Sequence, residues 1–262
     1  MDNITLKISL LQMNVASGDF EENLRCAEAM LKSALNQRKK PNLVVLPEMW
    51  TSDKEEDSSQ NNVLYALEKL KSIAARHSVN IVAGSMMENR GAQGIFNTAY
   101  IINGQGEVIA SYDQVHCQRD RKPAIAPGHR SVTFDIDGAC CGIILGHDLR
   151  FPEFVRQLAL KGAQVLIVPG SWSRPREIHW KLLNIVRAIE NQFFVVAVNR
   201  AGRTGNVAYP GLSMVIDPWG ELLIEGDNSP DILTTVIDLS LVDKARKQTP
   251  ILSDRRPDLY KN

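Results

Sequence analysis

Strand-like and helix-like segments alternate along this chain, and the alternation limits the folds that it can adopt. Residues 6–11 are apolar enough for a strand, and residues 21–37 carry leucines and alanines at helical spacing. A continuous apolar run at 43–46 predicts a buried strand, and the apolar spacing at 63–73 predicts a second helix. The chain therefore starts with consecutive strand and helix pairs.

The same two kinds of segment continue toward the C-terminus, with two or more strands for each helix. Strand patterns lie at 80–85, 98–102, 107–112, 132–136, 142–145, 165–168, 193–199, 214–216, 221–224 and 233–237, and helical patterns lie at 151–161 and 178–190. Apolar strands with helices between them predict an α/β protein in which two sheets stack face to face and helices cover the outside. The length of 262 residues fits a single domain over 1–262, with residues 249–262 as a C-terminal surface arm.

The charge balance narrows the class of partner. Thirty basic residues balance thirty acidic ones, and a chain without net charge has no electrostatic preference for nucleic acid or an anionic membrane surface. No apolar stretch approaches the roughly twenty residues that are needed to span a bilayer. We therefore expect a small-molecule ligand or substrate, no nucleic-acid partner and no membrane partner.

The cysteines favour a reducing compartment. None of them has the CxxC spacing of a redox motif or structural zinc site, and the neighbours Cys140 and Cys141 cannot easily bridge to each other. We expect reduced thiols at all four positions, namely Cys26, Cys117, Cys140 and Cys141. The predicted protein is cytoplasmic and carries no cofactor.

Three short segments point to a family. They are residues 45–50 (VLPEMW), 113–116 (DQVH) and 145–153 (LGHDLRFPE). Together they resemble the nitrilase, or carbon-nitrogen hydrolase, superfamily in its omega-amidase-like branch. The resemblance implies cleavage of amides or nitriles by a glutamate, a lysine and a cysteine, which would stand at the positions of Glu48, Gln114 and Gly146. Because glycine supplies no nucleophilic atom, the covalent mechanism of the family is unavailable as written.

The resemblance extends over nearly the whole chain. Further matching segments occur in the expected order at 84–85, 97–100, 170–172, 187–192 and 216–220. It implies the four-layer α-β-β-α sandwich of the nitrilase type and, because tails and helices near the site commonly join two subunits in this family, a homodimer. The chain departs from the family pattern at 51–56 and 117–128, where the connections are shorter and a second glutamate has no clear counterpart.

Glu48, Gln114 and Gly146 each allow a functional and a structural interpretation. Glu48 follows a buried strand and is a candidate general base, or else a carboxylate that is hydrogen-bonded to the backbone or to Gln114. The amide of Gln114 can donate only a neutral hydrogen bond, which is weaker than the charge-assisted bond of a lysine. Gly146 suits a strand-to-helix elbow. Its missing side chain either admits a ligand to the backbone amides or reflects loss of selection on this position after activity became unnecessary.

The remaining candidates are His147, His116, Cys117 and Trp172. His147 is an acid or base beside Glu48 if its ring faces the cavity, and otherwise a packing residue. His116 is a pocket residue or a support for its loop, Trp172 lines the cavity or belongs to the core, and Cys117 is an alternative nucleophile on an unsuitable wall. Glu48, His116, Cys117 and His147 are all possible zinc ligands, but their spacing matches no metal motif, so we expect no metal.

Two further residues of the elbow, Asp148 and Arg150, are expected to hold it by hydrogen bonds.

Three functions follow from the candidate site residues. The leading hypothesis is a biosynthetic enzyme repurposed for noncovalent acid-base chemistry, such as cyclisation, elimination or rearrangement, through Glu48 and His147 on a small nitrogenous or acyl substrate. The second is a noncatalytic pseudoenzyme that serves as a binding or scaffold subunit. The third is a carbon-nitrogen hydrolase that uses activated water.

Overall fold

The computed structural model describes residues 4–52, 54, 58–118 and 124–260. Its strands form two large sheets and one hairpin. In chain order the strands are β1 (Thr5–Gln12), β2 (Leu43–Val45), β3 (Asn80–Val82), β4 (Met86–Asn89), β5 (Ile95–Ile102), β6 (Val108–Asp113), β7 (Val132–Ile136), β8 (Ala139–Ile143), β9 (Val165–Pro169), β10 (Phe194–Val198), β11 (Ala201–Thr204), β12 (Val207–Pro210), β13 (Met214–Ile216), β14 (Leu222–Glu225) and β15 (Asp231–Asp238).

The described residues also form five α-helices. They are α1 (Phe20–Leu35), α2 (Gln60–His77), α3 (Pro152–Leu160), α4 (Glu177–Asn191) and α5 (Ser240–Gln248). Helix α1 begins where the Asp19 carboxylate accepts from the backbone N–H of Glu22, and α2 begins at Ser59, whose hydroxyl accepts from the N–H of Asn62. No described helix has both the length and the apolar character that a membrane crossing requires.

The two sheets pack face to face. The first has the strand order β15-β1-β2-β3-β5-β4 with β6 paired to β5, and the second has the order β14-β13-β10-β9-β8-β7. Side chains from both sheets, including Leu10, Val45, Ile143, Ile167 and Val196, form one buried cluster between them. A second cluster, which includes Leu24 and Leu70, lies between the first sheet and helices α1 and α2. The α/β sandwich predicted from the sequence is confirmed.

The structure adds three features that the sequence patterns missed. The strand predicted at 80–85 ends at Val82, and a separate strand, β4, begins at Met86. Gly84 causes this break: its φ is +56°, and a Cβ atom there would overlap the carbonyl oxygen of Pro47. The β11–β12 hairpin and helix α5 were also not predicted. The close approach at Gly84 holds the segment that carries Glu48.

Two boundaries stay predictions. The assignment of 1–262 to a single domain, with an arm at 249–262, is untested; its described part contains a short 3₁₀ turn at Pro257–Leu259. Residues 53, 55–57 and 119–123 lie outside the described residues. The shorter connections predicted at 51–56 and 117–128 therefore fall partly outside the described structure.

Candidate active site

Several strand ends converge on one small cavity of about 50 Å³. Glu48 lies shortly beyond β2, Gln114 directly follows β6, Gly146 lies shortly beyond β8 and Trp172 shortly beyond β9. Because side chains at the ends of strands escape the sheet, four sequence-distant segments can present groups to the same space. The cavity is lined by seven positions that the sequence singled out, namely Glu48, Gln114, Cys117, Gly146, His147, Arg150 and Trp172.

Glu48 and Gln114 belong to one buried hydrogen-bond network. Each is only 4% exposed. The side-chain amide of Asn97 donates to Oε1 of Glu48 at 2.9 Å and to Oε1 of Gln114 at 3.1 Å. The amide of Gln114 in turn donates to the carbonyl oxygen of Leu145 at 3.0 Å. The network thus joins the first sheet to the elbow that follows β8.

The position of the Glu48 carboxylate depends on the absence of a side chain at Gly146. Its φ is +32°, and a Cβ atom there would overlap Oε2 of Glu48 and lie 2.7 Å from the carboxyl carbon of Glu48. The Glu48 carboxylate therefore stands directly against the backbone of Gly146. The indole N–H of Trp172 donates to the carbonyl oxygen of Gly146 at 3.2 Å and closes the other side.

Asp148 is the buried acceptor of the elbow. Its Oδ2 accepts from the Tyr112 hydroxyl at 2.6 Å and from the Leu145 N–H at 3.0 Å, and its Oδ1 accepts from the His116 N–H at 2.7 Å. The His116 ring pairs with the same Oδ1 atom at 2.9 Å and stacks on Phe151 at 3.7 Å between centroids. Burial, followed by the nearby Asp148 charge, raises the pKa of Tyr112. His116 therefore supports the loop, and it is not among the residues that line the cavity.

His147 lines the cavity near its rim. Its Nδ1 atom lies 3.4 Å from the amide nitrogen of Gln118, and its ring meets the Phe151 ring edge-on at 5.6 Å. Partial burial lowers the pKa of His147, and the positive charges of Arg150 and Arg176 lower it further against the opposing effect of Asp148. The neutral imidazole is thereby favoured. Its acid-base role beside Glu48 stays a prediction.

Because the folded protein holds a proton on His147 less well than the unfolded chain does, acid should destabilise the fold through this residue. The unfolded chain takes up the proton first as the pH falls below the ordinary pKa of 6.5, so this part of the stability is present at pH 7 and is lost on acidification. Urea unfolding of the wild type and of His147→Gln at pH 7 and pH 5 measures it. We expect a smaller acid loss in His147→Gln; an equal loss would contradict the assignment. His129→Gln, at an exposed histidine, is the control.

Two arginines give the cavity a positive wall that the sequence patterns missed. The Arg150 guanidinium lies over the Trp172 ring at 4.4 Å, and both Arg150 and Arg176 line the cavity. Burial lowers the pKa of Arg150, and the nearby charge of Arg176 adds to this effect. Arg150 was expected to form hydrogen bonds around the elbow. In the structure it lines the cavity. No short motif marks Arg176, which is the last residue of a 3₁₀ turn that leads directly into α4.

The Cys117 thiol lines the cavity but is engaged with the backbone. It donates to the carbonyl oxygen of Gln114 at 3.6 Å and of Ala126 at 3.9 Å, and it packs against an apolar cluster that includes Met49 and Ile125. The set of Glu48, His116, Cys117 and His147 does not form a metal site: no group of three or more His, Cys, Asp or Glu side chains in the described part of the chain could hold a metal ion.

The class of protein follows from comparison of this fold and site with known families. The carbon-nitrogen hydrolase family model matches residues 7–247, and the chain belongs to that family. This confirms the resemblance inferred from the three motif segments.

Particular relatives are amidases. The chain is 35% identical to the 2-oxoglutaramate amidase of Bacillus subtilis over 259 residues, which cover 97% of this chain and 98% of that protein. Nit3 of Saccharomyces cerevisiae, a member of branch 10 of the nitrilase superfamily, has a TM-score of 0.87 at 26% identity and covers 96% of this chain and 97% of its own. An amidase of Nesterenkonia sp. AN1 has a TM-score of 0.86 at 26% identity, with 97% of this chain and 95% of that chain covered; its structure is a double variant, with a glutamate changed to glutamine and a cysteine to alanine, in complex with acrylamide.

These relatives correct the functional prediction. The leading hypothesis from the sequence, noncovalent cyclisation, elimination or rearrangement through Glu48 and His147, is wrong, because the full-length relatives are named as hydrolases of amides. The noncatalytic subunit is not what they indicate either. Their names point instead to hydrolysis of an amide carbon-nitrogen bond.

Proposed function

We propose that the protein hydrolyses the amide group of a small substrate that also carries a carboxylate. The observation that carries this proposal is the division of charge within one cavity, where the Glu48 carboxylate lies at the elbow and the guanidinium groups of Arg150 and Arg176 lie on the wall. A carboxylate beside the amide would place the substrate between these groups. The 2-oxoglutaramate amidase of Bacillus subtilis supports the choice of substrate class, since its named substrate is an amide of this kind.

The two arginines suit one end of such a substrate. A guanidinium group presents a planar fork of N–H donors that matches the two oxygens of a carboxylate. The Trp172 ring supports the Arg150 group from one face, so the fork is held in place before the ligand arrives. Two neighbouring cations repel each other, and a bound anion relieves that repulsion.

At the amide end of the substrate, the reaction is assigned to Glu48. In this proposal Gly146 and Gln114 stand where the family has its cysteine and lysine, and a water molecule replaces the thiol. Glu48 takes a proton from water while the water oxygen bonds to the amide carbon; the carbon-nitrogen bond then breaks, and ammonia leaves with the proton that Glu48 returns. The products are a carboxylic acid and ammonia, and no covalent enzyme intermediate forms.

The other predicted site residues have supporting roles in this scheme. Gln114 lies between Asn97 and the Leu145 carbonyl oxygen and contributes a fixed neutral dipole beside Glu48. His147, as the neutral imidazole, adds no charge to the positive wall near pH 7. The Nesterenkonia double variant in complex with acrylamide supports the idea that a site of this fold without a cysteine at the changed position retains a small amide.

Ammonia release from three amides tests the proposal. We expect turnover of 2-oxoglutaramate and glutaramate, which carry a carboxylate, and little turnover of propionamide, which does not. Glu48→Gln should lower kcat by about 100-fold or more, because it removes the proton acceptor. If the wild type releases no ammonia from any of the three, the protein is not a hydrolase of this class.

The positive wall has its own prediction. Arg150→Leu should raise KM for 2-oxoglutaramate by about 10- to 100-fold, because it removes a charge-assisted contact worth about 1.5–3 kcal/mol, and should leave KM for propionamide almost unchanged. Arg174→Leu is the control, since Arg174 is exposed and pairs with Glu177 at 3.9 Å. Equal KM changes for both amides would show that Arg150 does not bind the carboxylate of the substrate.

We also propose that the protein is a homodimer. Ile178, Leu182, Val186 and Ile189 follow one face of α4 at helical spacing and are 65%, 53%, 44% and 45% exposed. Such a stripe is suited to a second copy of the same helix. Light scattering should give about twice the monomer mass for the wild type and the monomer mass for Leu182→Glu; a monomeric wild type would contradict the proposal.

A cytoplasmic location is part of the same proposal. All four cysteines are free thiols in the structure, which suits a reducing compartment. Fractionation of cells that produce the protein, with immunodetection in the cytosolic and membrane fractions, tests this location.

A further inference from the structure

Asn97 stands at the centre of the network beside Glu48. It is fully buried in the middle of β5, and its backbone carbonyl oxygen accepts from the N–H of Gln114 at 3.0 Å. Its side-chain nitrogen has two hydrogens, and the network directs one to Glu48 and the other to Gln114. Both donors of this amide are therefore engaged in joining the two candidate groups.

The orientation of the Asn97 amide follows from its neighbours. The nitrogen of the Gln114 amide faces the carbonyl oxygen of Leu145, so its oxygen faces Asn97. A reversed Asn97 amide would set its own oxygen against two acceptor oxygens, which is unfavourable. The observed orientation leaves Oδ1 of Asn97 buried without a hydrogen-bond partner among the described residues. Such a group is costly, and its retention here points to the value of the two bonds from the nitrogen.

The strands that carry Asn97 and Gln114 are held in register by an adjacent ion pair. Thr98, next to Asn97, donates to Asp113, next to Gln114, at 2.8 Å. The Arg90 guanidinium binds both oxygens of Asp113 at 2.9 Å each, and it also donates to Thr98 at 3.0 Å. This cluster lies on the opposite side of the same two strands and limits any displacement of Asn97 relative to Gln114.

The consequence for Glu48 is a fixed orientation of its carboxylate plane. Oε1 accepts from Asn97, and both oxygens lie against the position of Gly146, with Oε2 the nearer of the two. Loss of the Asn97 bond would remove one of the contacts that hold this plane in its orientation. A general base works only when its acceptor atom lies within hydrogen-bond reach of the proton that it takes.

We propose that Asn97 is a positioning residue of this site, which fixes the orientation of the Glu48 carboxylate against Gly146 and couples it to Gln114. This inference rests on the proposed amide hydrolysis for its kinetic consequence, but its structural content stands apart from that activity. Asn97 does not line the cavity, so it acts through Glu48 and has no contact with substrate.

A matched pair of variants separates positioning from simple stability. Asn191 is a second fully buried asparagine, whose nitrogen donates to the carbonyl oxygen of Arg187 and whose Oδ1 likewise lacks a partner among the described residues. We expect Asn97→Ala and Asn191→Ala to lower the urea midpoint similarly. Only Asn97→Ala should lower kcat, by about 10- to 100-fold with KM within about threefold, whereas Asn191→Ala keeps kcat within about threefold of the wild type. An unchanged kcat in Asn97→Ala, or equal losses in both variants, would overturn the proposal.

A second readout is independent of turnover. In spectra of ¹⁵N-labelled protein, the side-chain amide of Asn97 is identified by its loss in Asn97→Ala. We expect that signal to move in Glu48→Gln and the side-chain amide signal of Gln114 to move in Asn97→Ala, while Asn191→Ala moves neither. Signals that stay in place would overturn the proposal. If the wild type releases no ammonia, the proposed function fails, and the amide spectra alone decide the role of Asn97.

Discussion

Replacement of Asp148 by alanine is expected to lower the free energy of unfolding by about 3–5 kcal/mol, because it removes the acceptor of a buried hydrogen-bonded cluster. Asp148 is fully buried, and the donors that it would leave behind are the Tyr112 hydroxyl, the Leu145 N–H and the N–H and ring of His116. Few of these donors can reach water in the folded state. Urea unfolding followed by circular dichroism measures the loss.

The control for this variant is Asp135→Ala. Asp135 is an exposed carboxylate that accepts from the N–H of Gly138 at 2.9 Å, so its loss should cost about 1 kcal/mol or less. A loss of less than about 1 kcal/mol for Asp148→Ala would show that the four contacts do not hold the elbow. The same variant should lower the ammonia-release rate, since Gly146 belongs to the elbow.

Replacement of Gly146 by alanine is expected to lower kcat by about 100-fold, because the new methyl group would overlap Oε2 of Glu48 and displace the carboxylate. It should also cost about 2–4 kcal/mol of unfolding free energy, from this overlap and from the positive φ. In the Glu48→Ala background the overlap is absent, and the stability cost of Gly146→Ala should shrink by about 1–3 kcal/mol. Additive effects of the two changes would contradict the geometry.

Gly162→Ala isolates the backbone contribution to that cost. Gly162 has φ +93°, and a Cβ atom there would have no neighbour within 4 Å, so only backbone strain of about 1–2 kcal/mol is expected.

The overlap between a side chain at position 146 and Glu48 also affects the double variant Gly146→Cys with Gln114→Lys. We expect it to gain little or no thiol-dependent amidase activity, since a side chain at 146 displaces the glutamate that should activate it. A large gain would contradict this expectation.

The alternation of apolar strand and helix patterns was sufficient to predict the layered fold, because burial between layers imposes regular spacing on most elements. The missed elements lack that spacing. Helix α5 buries only Val242 and Ala245 along its length, and the β11–β12 hairpin contains Gly202 and forms a separate two-stranded sheet. Strand β4 was missed: the strand predicted at 80–85 stops before Met86, and the turn at Gly84 separates β4 from β3.

The candidate site was predictable only in part. Glu48 and Gly146 follow buried strands in recognisable segments, so their convergence could be predicted from family resemblance. Asn97 lies in a segment that matches the family, but that match gives no signal of its contact with Glu48. Arg176 is the last residue of the 3₁₀ turn before α4 and carries no local signal for its role. Their roles depend on distances between segments far apart in the chain, and on which way each side chain turns, which periodicity does not encode.

The strand-end origin of the cavity has a consequence for how this chain could diversify. Each reacting or binding group is supplied by a connection and not by the sheets themselves. Insertion or deletion of one residue in such a connection would replace the group that reaches the ligand, while the hydrogen-bonded ladders behind it stayed intact. Selectivity and foldability are therefore separable in this architecture, and new substrates are accessible by changes in length as well as by substitution.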